Sequence, residues 1–225
     1  MRASIKAFSR IIYDFRRVFL ACALILAFSI VLYIISLVYP QINSILAISR
    51  ATPWGIVTSI FAHSSLIHLA SNMVGLFAYT LLFAFCNSSL TFDDKRRIQS
   101  FFLVCVFGSA IASNIVWVYL TSQLSHGASG IVYAVLGVSL GFSLINGVSI
   151  LSWKRFKTQK KITKFMVEFN LLVLILLLSE IVLSPEIFLS VAVGVNVFAH
   201  GISFYLSLII TFVWNNYVRK VSILV

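Results

Sequence analysis

Residues 18–39 read VFLACALILAFSIVLYIISLVY, twenty-two positions without a charge or a proline. A helix rises about 1.5 Å per residue, so about 20 apolar residues cross a hydrocarbon core of about 30 Å. In lipid every backbone N–H and C=O must be paired inside the protein, and an unbroken apolar run pairs them only as a helix. Similar runs recur at about 66–86, 100–120, 129–150, 169–184 and 191–214, the fifth being short and carrying Glu180. Pro40, Pro53 and Pro185 all fall between runs, where a helix must stop anyway. With 60% hydrophobic and 10% charged residues, the chain lies far from soluble domains, which are about 25% charged. The expectation is an all-α polytopic membrane protein, a bundle of six transmembrane helices.

Charge orients the bundle. Arg2, Lys6, Arg10, Arg16 and Arg17 precede the first run, and Lys95, Arg96 and Arg97 lie in the second loop. Lys154, Arg155, Lys157, Lys160, Lys161 and Lys164 fill the fourth loop, and Arg219 and Lys220 follow the last run. Only Arg50 falls on the other side, so the positive-inside rule places both termini in the cytoplasm of a cell-membrane protein. The net charge of +11 is thus read as topology and lipid contact, not as a nucleic-acid surface. The start MRASIKAFSRIIYDFRR lacks a small-residue cleavage site and reads as the lead into a retained span. Three segments follow: a basic cytoplasmic segment 1–17, a six-span core 18–214 and a cytoplasmic tail 215–225.

Cys22, Cys86 and Cys105 show no paired spacing and read as buried free thiols, with no disulfide or metal implied. "NSS" at Asn87 has the form of a glycosylation acceptor but falls in a cytoplasmic loop.

Ionisable and amide side chains in spans face cavities or one another and mark function. His63, His68 and Asn72 fall at the start of the second run, Ser129 opens the fourth, and His200 lies inside the sixth. In the six-span frame these share one depth near the outer face. His68 and Asn72, four apart, share one helix face. The chemistry such a layer supports is acyl transfer: a serine activated by a histidine base. Ser129 and His200 are the candidate pair, and no acidic residue stands near enough to make it a triad. Gly127 and Gly130 let the backbone bend and approach closely. A helix beginning near Ser129 aims unpaired N–H groups at developing charge, to which His68 and Asn72 add side-chain donors. Tyr133, one turn past Ser129, is placed to pack on the imidazole. His63 reads as a structural support for the first or third loop, and His126 as a solvated or backbone-bonded loop histidine.

These residues resemble the rhomboid family of intramembrane serine proteases. HSSLIHLASNM carries the family's His-x4-His-x3-Asn pattern at His63, His68 and Asn72. GASG matches its GxSG, with Tyr133 and Gly137 at the family's spacings, and "AH" puts His200 in the place of its histidine. The resemblance implies Ser129 as nucleophile, His200 as base, and an oxyanion hole of His68, Asn72 and the Ser129 backbone N–H. It implies transmembrane proteins as substrates, cut near the outer face, without metal or cofactor. Two features depart from the pattern. Trp54 is followed by Gly55 where the family has arginine, which leaves the first loop's anchoring open. Ser203 and Ser207 replace glycines, which predicts a slightly wider gap between the fourth and sixth helices and a longer Ser129–His200 contact.

Two rival readings differ in class. A rhomboid-like binding and sorting protein would ordinarily lack the serine or the histidine. A small transporter would show inverted repeats, and the hydropathy pattern contains none. The expected cavity opens outward under the third and fifth loops, with the short fifth span and Pro185 as its movable side.

Overall fold

The computed structural model describes residues 2–88, 90–121, 123–150 and 197–224, with single helical positions between 165 and 183. The expected fifth span, Glu180, Pro185, the fifth loop and the lysine-rich fourth loop lie outside the described residues or are touched only at those positions.

The described chain is helical: α1 (Arg2–Asp14), α2 (Arg16–Val38), α3 (Gln41–Leu46), α4 (Gly55–Thr58), α5 (Leu66–Cys86), α6 (Phe92–Leu120), α7 (Ser129–Ile150) and α8 (Val197–Leu224). Among the described residues, α2, α5 and α6 are long and apolar enough to cross a membrane, and Ser129–Ile145 of α7 is a shorter apolar stretch. The chain is therefore a multi-pass membrane protein.

Helix boundaries follow the apolar runs except where polar residues extend a helix past them. α6 begins at Phe92, well before the apolar stretch at 100. Thr91 caps its N-terminus by accepting the Asp94 N–H at 3.2 Å, and Asp93 and Asp94 sit in the first turn, where carboxylates complement the helix dipole. α5 is capped likewise by Ser65, which accepts the His68 N–H at 3.1 Å.

α2 shows how a lipid-facing helix inverts the soluble pattern. Val18, Cys22, Ile25, Ser29 and Ser36 are buried, whereas Leu20, Leu24, Phe28, Val31 and Ile34 are exposed. The helix turns both of its serines and Cys22 inward beside Val18 and Ile25, and Cys22 Sγ lies 3.2 Å from Thr80 Oγ1 of α5. All three cysteines are buried thiols outside any disulfide. Asn87 is buried too, its amide donating to Phe83 O at 2.8 Å, so it is a helix-end residue and not a surface acceptor.

α7 is the central helix, packed against α5, α6 and α8. Its residues Ile131, Ala134, Val135, Val138 and Leu140 are almost fully buried. A helix apolar all round belongs in the middle of a bundle. Gly137 and Gly141 let α8 approach: a Cβ at Gly137 would collide with Ser207 Oγ and Phe204 O, and one at Gly141 would lie 2.8 Å from Thr211 Cγ2. Ser207 therefore fits into the gap left by Gly137, as small-xxx-small packing allows.

The segment between α2 and α5 is folded, not loose. Trp54 Nε1 donates to Ile45 O at 2.7 Å, Thr58 Oγ1 to Leu46 O at 2.9 Å, and Asn114 Nδ2 of α6 to Ile56 O at 2.9 Å. Arg50 donates from Nε to Val118 O at 3.2 Å and from Nη2 to Tyr119 O at 3.1 Å, satisfying carbonyls at the α6 C-terminus. The anchoring left open by Gly55 is thus supplied by an arginine earlier in the same loop. Gly55 has its own reason: a Cβ there would strike Ala47 O and the Ile48 backbone. Because those are backbone atoms, Gly55→Ala should destabilise the folded protein by about 2 kcal/mol, read as a fall in its thermal unfolding midpoint in detergent.

Candidate functional site

The stretch before α7 is bent by one residue. Gly127 has φ +126°, a region closed to side-chain-bearing residues, and a Cβ on it would lie 2.8 Å from the His68 ring. Its N–H donates to Ser59 O at 2.8 Å. Ile48 and Ser125 exchange backbone hydrogen bonds at 2.9 and 3.2 Å, joining the first and third loops. The helix then opens at Ser129 itself, so its first N–H groups have no partner within the helix.

α8 brings His200 to that opening. His200 Nε2 lies 2.7 Å from Ser129 Oγ. With the imidazole proton on Nδ1, the serine hydroxyl donates to Nε2, the geometry in which a hydroxyl can pass its proton to a base. The Tyr133 ring stacks on His200 with centroids 4.5 Å apart and planes within 7°. Stacking holds the imidazole's plane where an acidic partner would otherwise do so. Ser203 and Ser207 do not hold Ser129 and His200 apart, contrary to the lengthened contact expected from the sequence.

His63, which is fully buried, is the organising residue of the loops. Its Nδ1 donates to Phe61 O at 3.2 Å, leaving Nε2 as acceptor for Asn72 Nδ2 at 3.2 Å and the Ala128 N–H at 3.3 Å. Asn43 Nδ2 donates to the His63 carbonyl at 3.3 Å. One imidazole so ties the first loop to the third and fixes the Asn72 amide. Burial, with the His68 ring beside it, pushes the His63 pKa down to about 4. A proton on Nε2 would also face two donors, which opposes protonation in the same direction.

Ser129, His200, His68, Asn72 and Tyr133 all line one cavity of about 590 Å³ at this end of the bundle. His126 lines it as well. Its Nδ1 is buried without a hydrogen-bond partner among the described residues, and burial and His68 hold its pKa below the usual value. Gly130 lies behind Ser129: a Cβ there would sit 3.5 Å from Ser203 Oγ and 3.6 Å from Ser113 Oγ.

Sequence reasoning missed Ser113. Ser203 Oγ donates to Ser113 Oγ at 2.8 Å, and Ser113 donates on to Ala110 O at 2.8 Å, pinning α8 to α6 directly below His200. A serine inside an apolar run carries no signal of its partner; only its common depth with Ser203 hints at one.

Two outcomes follow. Ser113→Ala and Ser203→Ala should each lower unfolding stability by about 1 kcal/mol, and the double variant by little more than either alone in a double-mutant cycle. For His63, an unfolded imidazole titrates near 6.5, against about 4 in the fold. Its contribution is whole above about pH 6.5 and is lost as pH falls through about 4, roughly 3 kcal/mol in all. The unfolding midpoint should fall across that window, and His63→Asn should flatten the fall while lowering the midpoint at neutral pH.

A bundle of apolar helices with a polar cavity built into one end defines the class, a multi-pass membrane protein. The Rhomboid domain matches residues 50–217. The chain belongs to the rhomboid family, whose fold is compatible with intramembrane proteolysis. Among curated proteins, none matches it.

Proposed function

We propose that the chain is an intramembrane serine endopeptidase acting through a Ser129–His200 dyad. The observation that carries this reading is the 2.7 Å contact between His200 Nε2 and Ser129 Oγ inside a cavity of a rhomboid-family bundle. As Ser129 Oγ attacks a substrate carbonyl carbon, its proton moves to His200 Nε2. The oxyanion is held by the Ser129 backbone N–H with His68 and Asn72. Collapse of the tetrahedral intermediate breaks the C–N bond, and His200 returns the proton to the leaving amine. Water then attacks the acyl-enzyme, giving its proton to His200, and the second collapse frees Ser129.

Around the dyad, Gly127 and Gly130 permit the close approach, Tyr133 orients the imidazole, and His63 sets Asn72. Asp14, Asp93 and Asp94 belong to the opposite helix ends, which favours a dyad over a triad. The chemistry needs no metal or cofactor. Substrates are transmembrane proteins whose helices unwind near the outer face, since helical carbonyls are otherwise bonded internally. In this reading six spans cross the cell membrane with both termini in the cytoplasm.

The test is cleavage of a single-span substrate by purified protein in liposomes, with labelling by a fluorophosphonate. Ser129→Ala and His200→Ala should each lower cleavage at least about a thousandfold with folding intact, and Ser129→Ala should abolish labelling. Cleavage surviving Ser129→Ala would refute the nucleophile. A folded wild type that neither cleaves nor labels would be a rhomboid-like binding protein.

A further inference from the structure

We propose that the elbow between α1 and α2, together with the first turns of α6, forms a binding site for the headgroup of an anionic phospholipid. The elbow is built into the bundle. Phe15 interrupts the helix with φ −107° and ψ 23°, is fully buried, and packs edge-on against Phe83 at 5.8 Å. Gln99 of α6 is buried beneath it, donating from Nε2 to Asp14 O at 2.9 Å and accepting the Arg17 N–H at 3.2 Å. Lys95 Nζ meets Asp14 Oδ2 at 2.8 Å, the one ion pair among the described residues.

That pairing decides the charge of the surface. Asp14 and Lys95 neutralise each other, which leaves Arg16 and Arg17 exposed on one side of the joint and Arg96 and Arg97 exposed on the other. The acids nearby are Asp93 and Asp94; both sit in the first turn of α6, and Asp94 Oδ2 accepts the Thr91 hydroxyl at 2.7 Å. The guanidiniums therefore outnumber the free carboxylates on a rigid frame. Two of them rest on exposed rings: Arg16 over Tyr13 at 4.8 Å and Arg96 over Phe92 at 5.9 Å. Aromatic rings and arginines at the ends of spans sit at headgroup depth.

The occupant follows from position and charge. The joint lies where α2 begins to cross the membrane, and the exposed Leu20 and Leu24 continue from it as an apolar strip. A ligand with a phosphate at one end and acyl chains at the other matches both. Guanidinium forks pair bidentately with phosphate oxygens. A zwitterionic headgroup brings its own cation, so the surface selects a net negative lipid. Each basic group near such a surface is worth about fivefold in lipid affinity. This inference is independent of the proteolytic reading.

The experiment measures thermal unfolding of the full chain in bilayer discs of phosphatidylcholine, alone or mixed equally with phosphatidylglycerol. At low salt, phosphatidylglycerol should raise the wild-type midpoint by several degrees. The variant Arg16→Gln/Arg17→Gln/Arg96→Gln/Arg97→Gln should match wild type in phosphatidylcholine and lose more than half of that rise. A variant that keeps the whole rise, or a wild type that shows none, overturns the proposal. Inorganic phosphate reproducing the rise in phosphatidylcholine discs would also overturn it, by showing a free-anion site. Should the fourfold variant not fold, the Arg16/Arg17 and Arg96/Arg97 pairs are changed separately, each expected to lose part of the rise.

Discussion

The close approach of α7 to α8 is the constraint on which the rest depends. Apolar side chains gain nothing from leaving lipid for a protein interior, so membrane helices associate through backbone proximity, dispersion and a few hydrogen bonds. Gly137 and Gly141 let α8 settle with Ser207 and Thr211 in the space that larger side chains would fill. Thr211 Oγ1 bonds back to Ser207 O at 2.7 Å and Ser207 Oγ to Phe204 O at 2.9 Å, so these hydroxyls are satisfied within their own helix. Ser203, nearer the cavity, reaches across to α6, and from α6 Cys105 Sγ donates back to Ser207 O at 3.7 Å. The result is a helix held at short range on two sides, with His200 a turn above the pin.

The loops complete what the helices begin. In a bundle joined by short packing residues, the cavity end would be open to distortion unless its connections were themselves folded. The segment before α5 supplies that rigidity through tryptophan, threonine and arginine donors to carbonyls left over at helix ends. Arg50 caps α6 from a position that a family pattern centred on Trp54 does not mark. The glycine after Trp54 admits the Ala47–Ile48 backbone, so at this point the loop takes backbone contact in place of a charged side chain.

Much of this was legible in the sequence for a physical reason: lipid enforces one periodicity and one length. The starts of α5 and α7 coincide with the starts of the second and fourth apolar runs because Ser65 caps the first and Gly127 bends the chain just before the second. α6 was harder to bound, since its charged first turns form helix without belonging to the apolar run. The juxtaposition of Ser129, His200 and Tyr133 was foreseeable from shared depth and helical spacing. The supporting role of His63 between the first and third loops was legible too, but its individual partners were not: only the fold distinguishes a ring with three partners from the His126 ring, whose Nδ1 has none among the described residues. The partnership of Ser113 with Ser203 was equally hidden, because hydroxyls in apolar runs look alike until helices are rotated against each other.

His63 also has a consequence for how this end of the molecule comes apart. A single ring nitrogen receives both an amide from α5 and a backbone N–H from the third loop, while the opposite nitrogen holds the first. The first loop, the start of α5 and the distant third loop therefore share one latch, and loosening any one of them takes a partner from the same ring that holds the other two.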